Sequence, residues 1–113
     1  MVYIDKLPFI DNIIFEHVEN YDDDYDEKGP SHIEREYYFI TKNDNVYTFM
    51  NYEYFCSYKR RYYDPSNNKY VLVFSKDFII EESKDAYVVL HNFIVDSCSD
   101  SLKKAFNEFR KTV

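Results

Sequence analysis

The chain has 113 residues, of which 45% are hydrophobic and 20% are aromatic, and its formal net charge at pH 7 is −7. A chain of this size with 13 Tyr and 10 Phe can bury a core without metals or disulfides. This composition excludes a disordered acidic chain, because such chains are poor in aromatic residues. The single glycine, Gly29, excludes the glycine-rich loops that cradle phosphates in nucleotide-binding proteins.

The N-terminal residues, the lengths of the apolar runs and the two cysteines indicate the compartment. Residues 1–6 lack a basic stretch followed by an apolar one, and no apolar run approaches the roughly 20 residues that span a bilayer. We therefore expect a cytoplasmic protein that makes no contact with membranes. Cys56 and Cys98 define no disulfide framework, and their apolar neighbours favour buried, reduced thiols. An excess of residues with AT-rich codons is typical of a virus, a mobile element or a low-GC bacterium.

The first predicted element is a strand at about residues 12–18, where β-branched and aromatic residues dominate. A loop is predicted at about residues 20–32, because this segment is rich in aspartate and contains the only Gly-Pro pair. Loops of this length are uncommon in compact domains unless they are functional or disordered. The acidic part of the loop consists of seven consecutive residues: Tyr21, Asp22, Asp23, Asp24, Tyr25, Asp26 and Glu27.

A β-hairpin is predicted next, with strands at about residues 33–41 and 46–54 whose side chains alternate between two faces. The turn between them contains Asn and Asp, which tolerate the positive φ of tight hairpins. Farther along, the almost continuously apolar run at residues 70–74 predicts a central strand that is buried on both faces. Residues 78–80 are predicted to extend the sheet after a bend at residues 75–77.

Residues 83–97 fit either a helix or a strand. Tyr, Val, Phe and Ile are typical of strands, whereas a helix beginning at an N-cap Ser83 gives an apolar stripe, which favours the helix. The members of that stripe are Ala86, Val89, Leu90, Phe93 and Ile94. A second helix is predicted from Ser99 or Asp100 through Lys111. Its inward face is formed by Leu102, Ala105, Phe106 and Phe109.

Together these elements predict an α+β fold. We expect a largely antiparallel sheet of four to six strands with one or two C-terminal helices packed on it. The size of the chain indicates a single domain over residues 1–113, with the acidic loop at about residues 20–32.

The acidic loop has part of the spacing of a calcium-binding loop, because Asp22, Asp24 and Asp26 occupy odd positions. The pattern then fails, since Glu27 stands where a glycine is needed and Ile33 stands where a bidentate glutamate belongs. The three histidines fall in no zinc-binding spacing. Sequence leaves open a distant Cys–His pair, but no cluster of catalytic residues is evident. We therefore predict a protein that is not an enzyme and binds neither a metal nor a cofactor.

The charge is distributed unevenly along the chain. Residues 1–57 carry a net charge of −9, and residues 58–113 carry a net charge of +2. Blocks of like charge often act as interaction elements, so residues 21–27 are the predicted binding site for a protein partner with a basic surface. The basic, tyrosine-rich residues 58–63 resemble a single-strand nucleic-acid site. The negative net charge repels polyanions, however, so we expect no direct binding of nucleic acid.

In size, acidity and aromatic content the chain resembles two kinds of small acidic protein. One kind is the immunity protein that neutralises a cognate toxin, often a nuclease, and the other is the virus- or phage-encoded inhibitor of a host enzyme. The resemblance implies a protein–protein interaction in which carboxylates occupy a basic cleft made for phosphate, with tyrosines as rigid contacts. The first hypothesis is thus an immunity protein, or antitoxin. The alternatives are acidic mimicry of nucleic acid by a viral inhibitor and a structural or oligomeric subunit.

Overall fold

The computed structural model describes residues 3–20, 31–59, 62–63, 69–97 and 99–112. Within these residues the chain forms an antiparallel sheet and two C-terminal helices, which confirms the predicted α+β fold. The elements, in chain order, are β1 (Tyr3–Ile4), β2 (Ile13–Asn20), β3 (Ser31–Asn43), β4 (Val46–Lys59), β5 (Tyr62–Tyr63), β6 (Lys69–Ile79), α1 (Ser83–Ser97) and α2 (Asp100–Arg110).

The strands of the sheet are ordered β1-β6-β4-β3-β2, and β5 pairs with the end of β4. All pairings between the described strands are antiparallel. The predicted hairpin is present as β3 and β4, and Asp44 in its turn has a φ of 54°. This positive φ is the conformation that a tight hairpin turn requires.

The interpretation of residues 70–74 as a central strand buried on both faces was wrong. β6 lies beside the edge of the sheet, and its outer neighbour β1 pairs only with Tyr70 and Val71. Leu72, Val73 and Phe74 are consequently 36–42% exposed. β6 also continues to Ile79 without the predicted bend at residues 75–77, and its irregularity is a register shift opposite β4. An apolar run indicates a strand but does not show which neighbours cover it.

Residues 83–97 form a helix, as the apolar stripe favoured. Three members of that stripe are fully buried: Ala86, Leu90 and Ile94. Val89 is 38% exposed, so the stripe is narrower than predicted. Ser83 is not the N-cap, because the carbonyl of Glu82 already accepts the N–H of Ala86 at 3.2 Å. Neither helix in the described part of the chain is both long and apolar enough to cross a bilayer.

Both helices pack on one face of the sheet, which we call the helix face. The sheet residues of this core are Phe15, Tyr38, Ile40, Tyr47 and Phe49, and α2 contributes Leu102 and Phe106, as predicted. Phe106 packs edge-on against Phe15, with ring centroids 5.4 Å apart. Phe93 of α1 makes the same kind of contact with Phe49 at 5.2 Å. α1 therefore covers the β4 side of the sheet, and α2 covers β2.

The opposite face of the sheet also carries buried aromatic rings. Phe39 and Tyr52 are each 7% exposed and lie 6.2 Å apart. β1 and β2 occupy the two edges of the sheet, and residues 5–12 connect them along the chain. Phe9 within this connection is 91% exposed.

Candidate functional site

Side chains on the helix face change from apolar to acidic in three successive rows across β2, β3 and β4. Residues two apart on a strand share a face, and the strand pairing places the members of each row opposite one another. The row beneath the helices contains Phe15, Ile40 and Phe49; the next contains His17, Tyr38 and Asn51; and the last contains Glu19, Glu36 and Glu53. We call the last of these the carboxylate row.

Like charges placed directly opposite each other on neighbouring strands destabilise a sheet. Three contacts from the row above and from α2 moderate this repulsion. The Tyr38 hydroxyl donates to Oε2 of Glu36 at 2.9 Å. The Ser99 hydroxyl donates to the Glu19 carboxylate, and Nε2 of His17 lies 3.7 Å from Oε1 of Glu19. The carboxylate row is therefore integrated into the fold and is not a set of freely moving surface acids.

Two members of the carboxylate row interact directly. Burial raises the pKa of Glu53, and the Glu36 carboxylate raises it further through its charge and through a hydrogen bond between the two side chains. A second negative charge beside Glu36 is therefore unfavourable unless a cation compensates it, and protonation of Glu53 relieves the repulsion. A carboxyl pair in this state can bind a cation or transfer a proton.

Ser99 connects the carboxylate row to the start of α2. Its Oγ accepts the N–H of Leu102 at 3.2 Å, which makes Ser99 the N-cap that the sequence predicted. His17 reaches the same turn, because its Nε2 lies 3.1 Å from Oγ of Ser101. Glu19 consequently lies beside a helix N-terminus, where the partial positive charge stabilises a carboxylate.

A pocket of about 450 Å³ opens on the helix face between the sheet and the ends of the two helices. One of its walls is aromatic, since the rings of Phe74 and Phe93 are stacked with an interplanar angle of 14° and centroids 5.9 Å apart. Its volume lies within the range of small-ligand sites. The lining residues are Glu36, Tyr38, Phe49, Asn51, Phe74, Phe93 and Ser99.

The polar groups that line this pocket use their donors inside the protein. The hydroxyls of Tyr38 and Ser99 both donate to the carboxylate row. Asn51 is 9% exposed, and its Nδ2 donates to the carbonyl oxygen of Tyr37 at 3.2 Å. Oδ1 of Asn51 has no hydrogen-bond partner within the described part of the chain. The pocket therefore presents mainly acceptors: a carboxylate, an amide oxygen and hydroxyl oxygens.

The partner-binding residues predicted from the sequence lie outside the described residues. They are Tyr21, Asp22, Asp23, Asp24, Tyr25, Asp26 and Glu27. The attachment points of this segment are described, because β2 ends at Asn20 and β3 begins at Ser31. Asn20 pairs with Arg35, directly next to the Glu19–Glu36 pair. The two described residues that flank this segment, Asn20 and Ser31, therefore lie at the end of the sheet that carries the carboxylate row.

Sequence reasoning missed the carboxylate row, although one signal indicated it. Glu53 has the same strand parity as Tyr47 and Phe49, so the alternation along this strand puts the three side chains on a common face. Glu36 likewise shares its parity with Tyr38 and Ile40. A charged residue that continues an inward-facing alternation points to a functional position. The convergence of the three carboxylates depends on the pairing register, which no local pattern specifies.

The basic segment at residues 58–63 and the two cysteines are only partly covered by the described residues. Lys59 ends β4 and pairs with Tyr62 of β5, and residues 60–61 of the basic segment lie outside the described part of the chain. Cys56 lies in β4, but its side chain, like all of Cys98, falls outside the description. Among the described residues, no group of three or more His, Cys, Asp or Glu side chains could hold a metal ion.

No family model matches this chain, and no curated protein and no solved structure matches it either. Three features of the chain bear on its function: the carboxylate row, the pocket beside it and the acidic composition of residues 21–27.

Proposed function

We propose that this protein binds a basic partner protein through its acidic end and so inhibits it, acting as an immunity protein for a cognate nuclease toxin. The observation that carries the proposal is the carboxylate row, in which three acids lie in register at a cost to stability. Residues 21–27, which connect β2 to β3 along the chain, carry five more acids.

The toxin in this proposal is a nuclease, because a nuclease has a basic cleft that binds phosphate, and the carboxylates of the acidic end can occupy that cleft. Complementary charge accelerates the encounter and selects the partner, and its effect weakens as salt is added. The same negative charge repels nucleic acid, so the partner is a protein and the protein does not bind nucleic acid directly. This mode of inhibition needs no catalytic step, metal or cofactor. We further propose that it operates in the cytoplasm, where both cysteines stay reduced.

The test is co-expression with the product of the neighbouring gene, followed by co-purification and an assay of that product's activity. One variant replaces the carboxylate row by Gln at positions 19, 36 and 53, and a second replaces the four aspartates of residues 22–26 by Asn. Each should weaken the complex by at least about tenfold and flatten its salt dependence. Glu16→Gln is the matched control, because Glu16 is exposed on β2 and pairs with Phe39 of the opposite face. Unchanged affinity in both acidic variants would contradict the proposal.

The second candidate is a virus- or phage-encoded inhibitor that mimics nucleic acid. The same acidic end supports it, since a host nucleic-acid-binding or defence protein also presents a basic surface. The two candidates differ in where the gene lies and in whether nucleic acid competes with this protein for its target. An inhibitor of this kind should lie in a viral or phage locus, and nucleic acid should displace it from its target.

A structural or oligomeric subunit is the third candidate, and the exposed apolar side chains of α1 and β6 favour it. Val88 of α1 is 49% exposed, and β6 beyond Val71 pairs with no described strand on its outer side. Lys76 and Asp77 lie in the middle of this free edge, however, and charged residues there oppose pairing between strands. We therefore expect a monomer that forms a one-to-one complex, which sedimentation equilibrium with and without the partner can check.

A further inference from the structure

We propose that the pocket beside the carboxylate row receives one arginine side chain of the partner protein. This inference rests on the proposed function and specifies the chemistry of its central contact. The pocket has a volume of about 450 Å³, which is at the lower end of the range for ligand sites. It therefore suits a single side chain with its adjoining backbone better than a large cofactor.

The hydrogen-bonding groups of the pocket are the first reason to assign a guanidinium. A guanidinium has five N–H donors and no acceptor. The pocket presents more acceptors than donors, because the hydroxyls of Tyr38 and Ser99 donate within the protein and Nδ2 of Asn51 donates one of its two N–H groups to Tyr37. The Glu36 carboxylate, whose Oε2 also accepts from the Tyr38 hydroxyl, can accept a charge-assisted N–H bond from the guanidinium. Oδ1 of Asn51, which is buried and has no partner among the described residues, can accept a further N–H. Binding thus supplies this buried oxygen with a hydrogen bond that none of the described residues provides.

The aromatic wall is the second reason. A guanidinium is planar and weakly hydrated, so it stacks on aromatic faces more readily than an ammonium group does. The stacked rings of Phe74 and Phe93 offer such faces, and Phe74 is 42% exposed. The same cluster already attracts a cation of the protein itself, because Nζ of Lys76 lies 5.4 Å from the centroid of Phe93. Acceptors and aromatic faces together favour arginine over lysine and over neutral ligands.

The experiment titrates three probes into the full-length, isotope-labelled protein and follows its amide NMR signals. The probes are Nα-acetyl-arginine amide, its lysine counterpart and its citrulline counterpart, which has the shape of arginine without the charge. The arginine probe should bind in the millimolar range and shift the signals of Asn51, Phe74 and Phe93. The lysine probe should bind several-fold more weakly, and the citrulline probe should cause no saturable shift.

Variants of the protein identify which side chains contact the arginine probe. Glu36→Gln should weaken the arginine probe by at least about tenfold, because the charge of the acceptor is lost. Phe93→Leu should weaken it about threefold, because the cation loses an aromatic face. Glu16→Gln should leave its affinity unchanged. Thermal unfolding of each variant verifies that it is folded. The comparison of the arginine and citrulline probes uses the wild-type protein, so it does not depend on the folding of any variant.

Equal binding of the arginine and citrulline probes, or an unaltered affinity in Glu36→Gln, would overturn the inference. Failure of the arginine probe while the carboxylate-row variants still weaken the partner complex overturns the arginine contact alone. If the carboxylate-row variants leave the partner complex unchanged, the proposed function fails. The inference then fails with it, because the partner does not place an arginine beside the carboxylate row.

Discussion

Replacing Glu53 by Gln should stabilise this protein at neutral pH. Burial and the Glu36 carboxylate raise the pKa of Glu53 above its ordinary value of 4.5, so ionisation costs more in the folded state than in the unfolded state. For a raised folded pKa, the favourable contribution is complete below the unfolded pKa and is lost as the pH rises through the folded pKa. The wild-type protein therefore carries a penalty at neutral pH that the neutral amide of Gln removes.

The size of the gain follows from the geometry of the pair. Glu36 and Glu53 are direct cross-strand partners, and like charges in that position destabilise by up to about 1 kcal/mol. Glu53 is half-buried, so water screens the repulsion only in part, and we expect a gain of about 0.5–1 kcal/mol. The Gln amide still donates a hydrogen bond to Glu36. In a chain of 113 residues this gain corresponds to a rise in Tm of about 3–6 °C.

Urea unfolding at about pH 7 and about pH 4 measures the effect. The difference between Glu53→Gln and wild type should shrink towards zero at the lower pH, where Glu53 is largely protonated in both states. In the double variant with Glu36→Gln, the second substitution should add less than it does alone, because the repulsion is already relieved. Glu108→Gln is the surface control and should change stability by less than about 0.5 kcal/mol, since Glu108 makes only an exposed pair with Lys111. A loss of stability at neutral pH, or an equal gain at both pH values, would refute the reasoning.

Three further predictions concern stability away from this pair. Phe106→Ala should lower the free energy of unfolding by about 3–5 kcal/mol in urea titrations, because the ring is fully buried; Phe9→Ala at an exposed position should change it by less than about 0.5 kcal/mol. Ser99→Ala should cost about 1 kcal/mol through loss of the α2 N-cap, and an unchanged thermal midpoint would contradict this. Lys69 lowers the pKa of Asp5 through a hydrogen bond and its charge, so Lys69→Gln should return that pKa towards 3.8 in an NMR titration. Because the pKa is lowered, the contribution of this pair is present above the unfolded pKa and is lost on acidification.

The elements that local chemistry specifies were predictable from the sequence. The hairpin follows from strict alternation on both sides of a turn that contains Asp44, a residue type that accepts positive φ. The second helix follows from an N-cap at Ser99 and an apolar face that includes Leu102 and Phe106. In each case the turn or cap residue and the apolar period lie within a few positions of each other, so no distant part of the chain is needed.

The features that depend on distant contacts were not predictable in the same way. The apolar run at residues 70–74 indicates a strand, but its place beside the edge depends on β1, which reaches it from the start of the chain. The carboxylate row requires the register of three strands at once. Glu19, Glu36 and Glu53 are far apart in sequence, and only the pairing of β2, β3 and β4 places them opposite one another.

The position of the carboxylate row separates a binding role from a structural one. On the helix face of β3 and β4, the two rows above Glu36 and Glu53 contain only apolar or neutral side chains. A neutral side chain at either position would therefore fit the same backbone without repulsion. Stability alone therefore does not explain the two acids, and sites where a fold departs from local consistency are commonly functional. If the row has only a structural role, Glu53→Gln should make the protein more stable and leave its affinity for the partner unchanged or higher. A binding role predicts that the same substitution makes the protein more stable and its complex weaker, because it relieves the repulsion and removes the charge that the partner's cation requires.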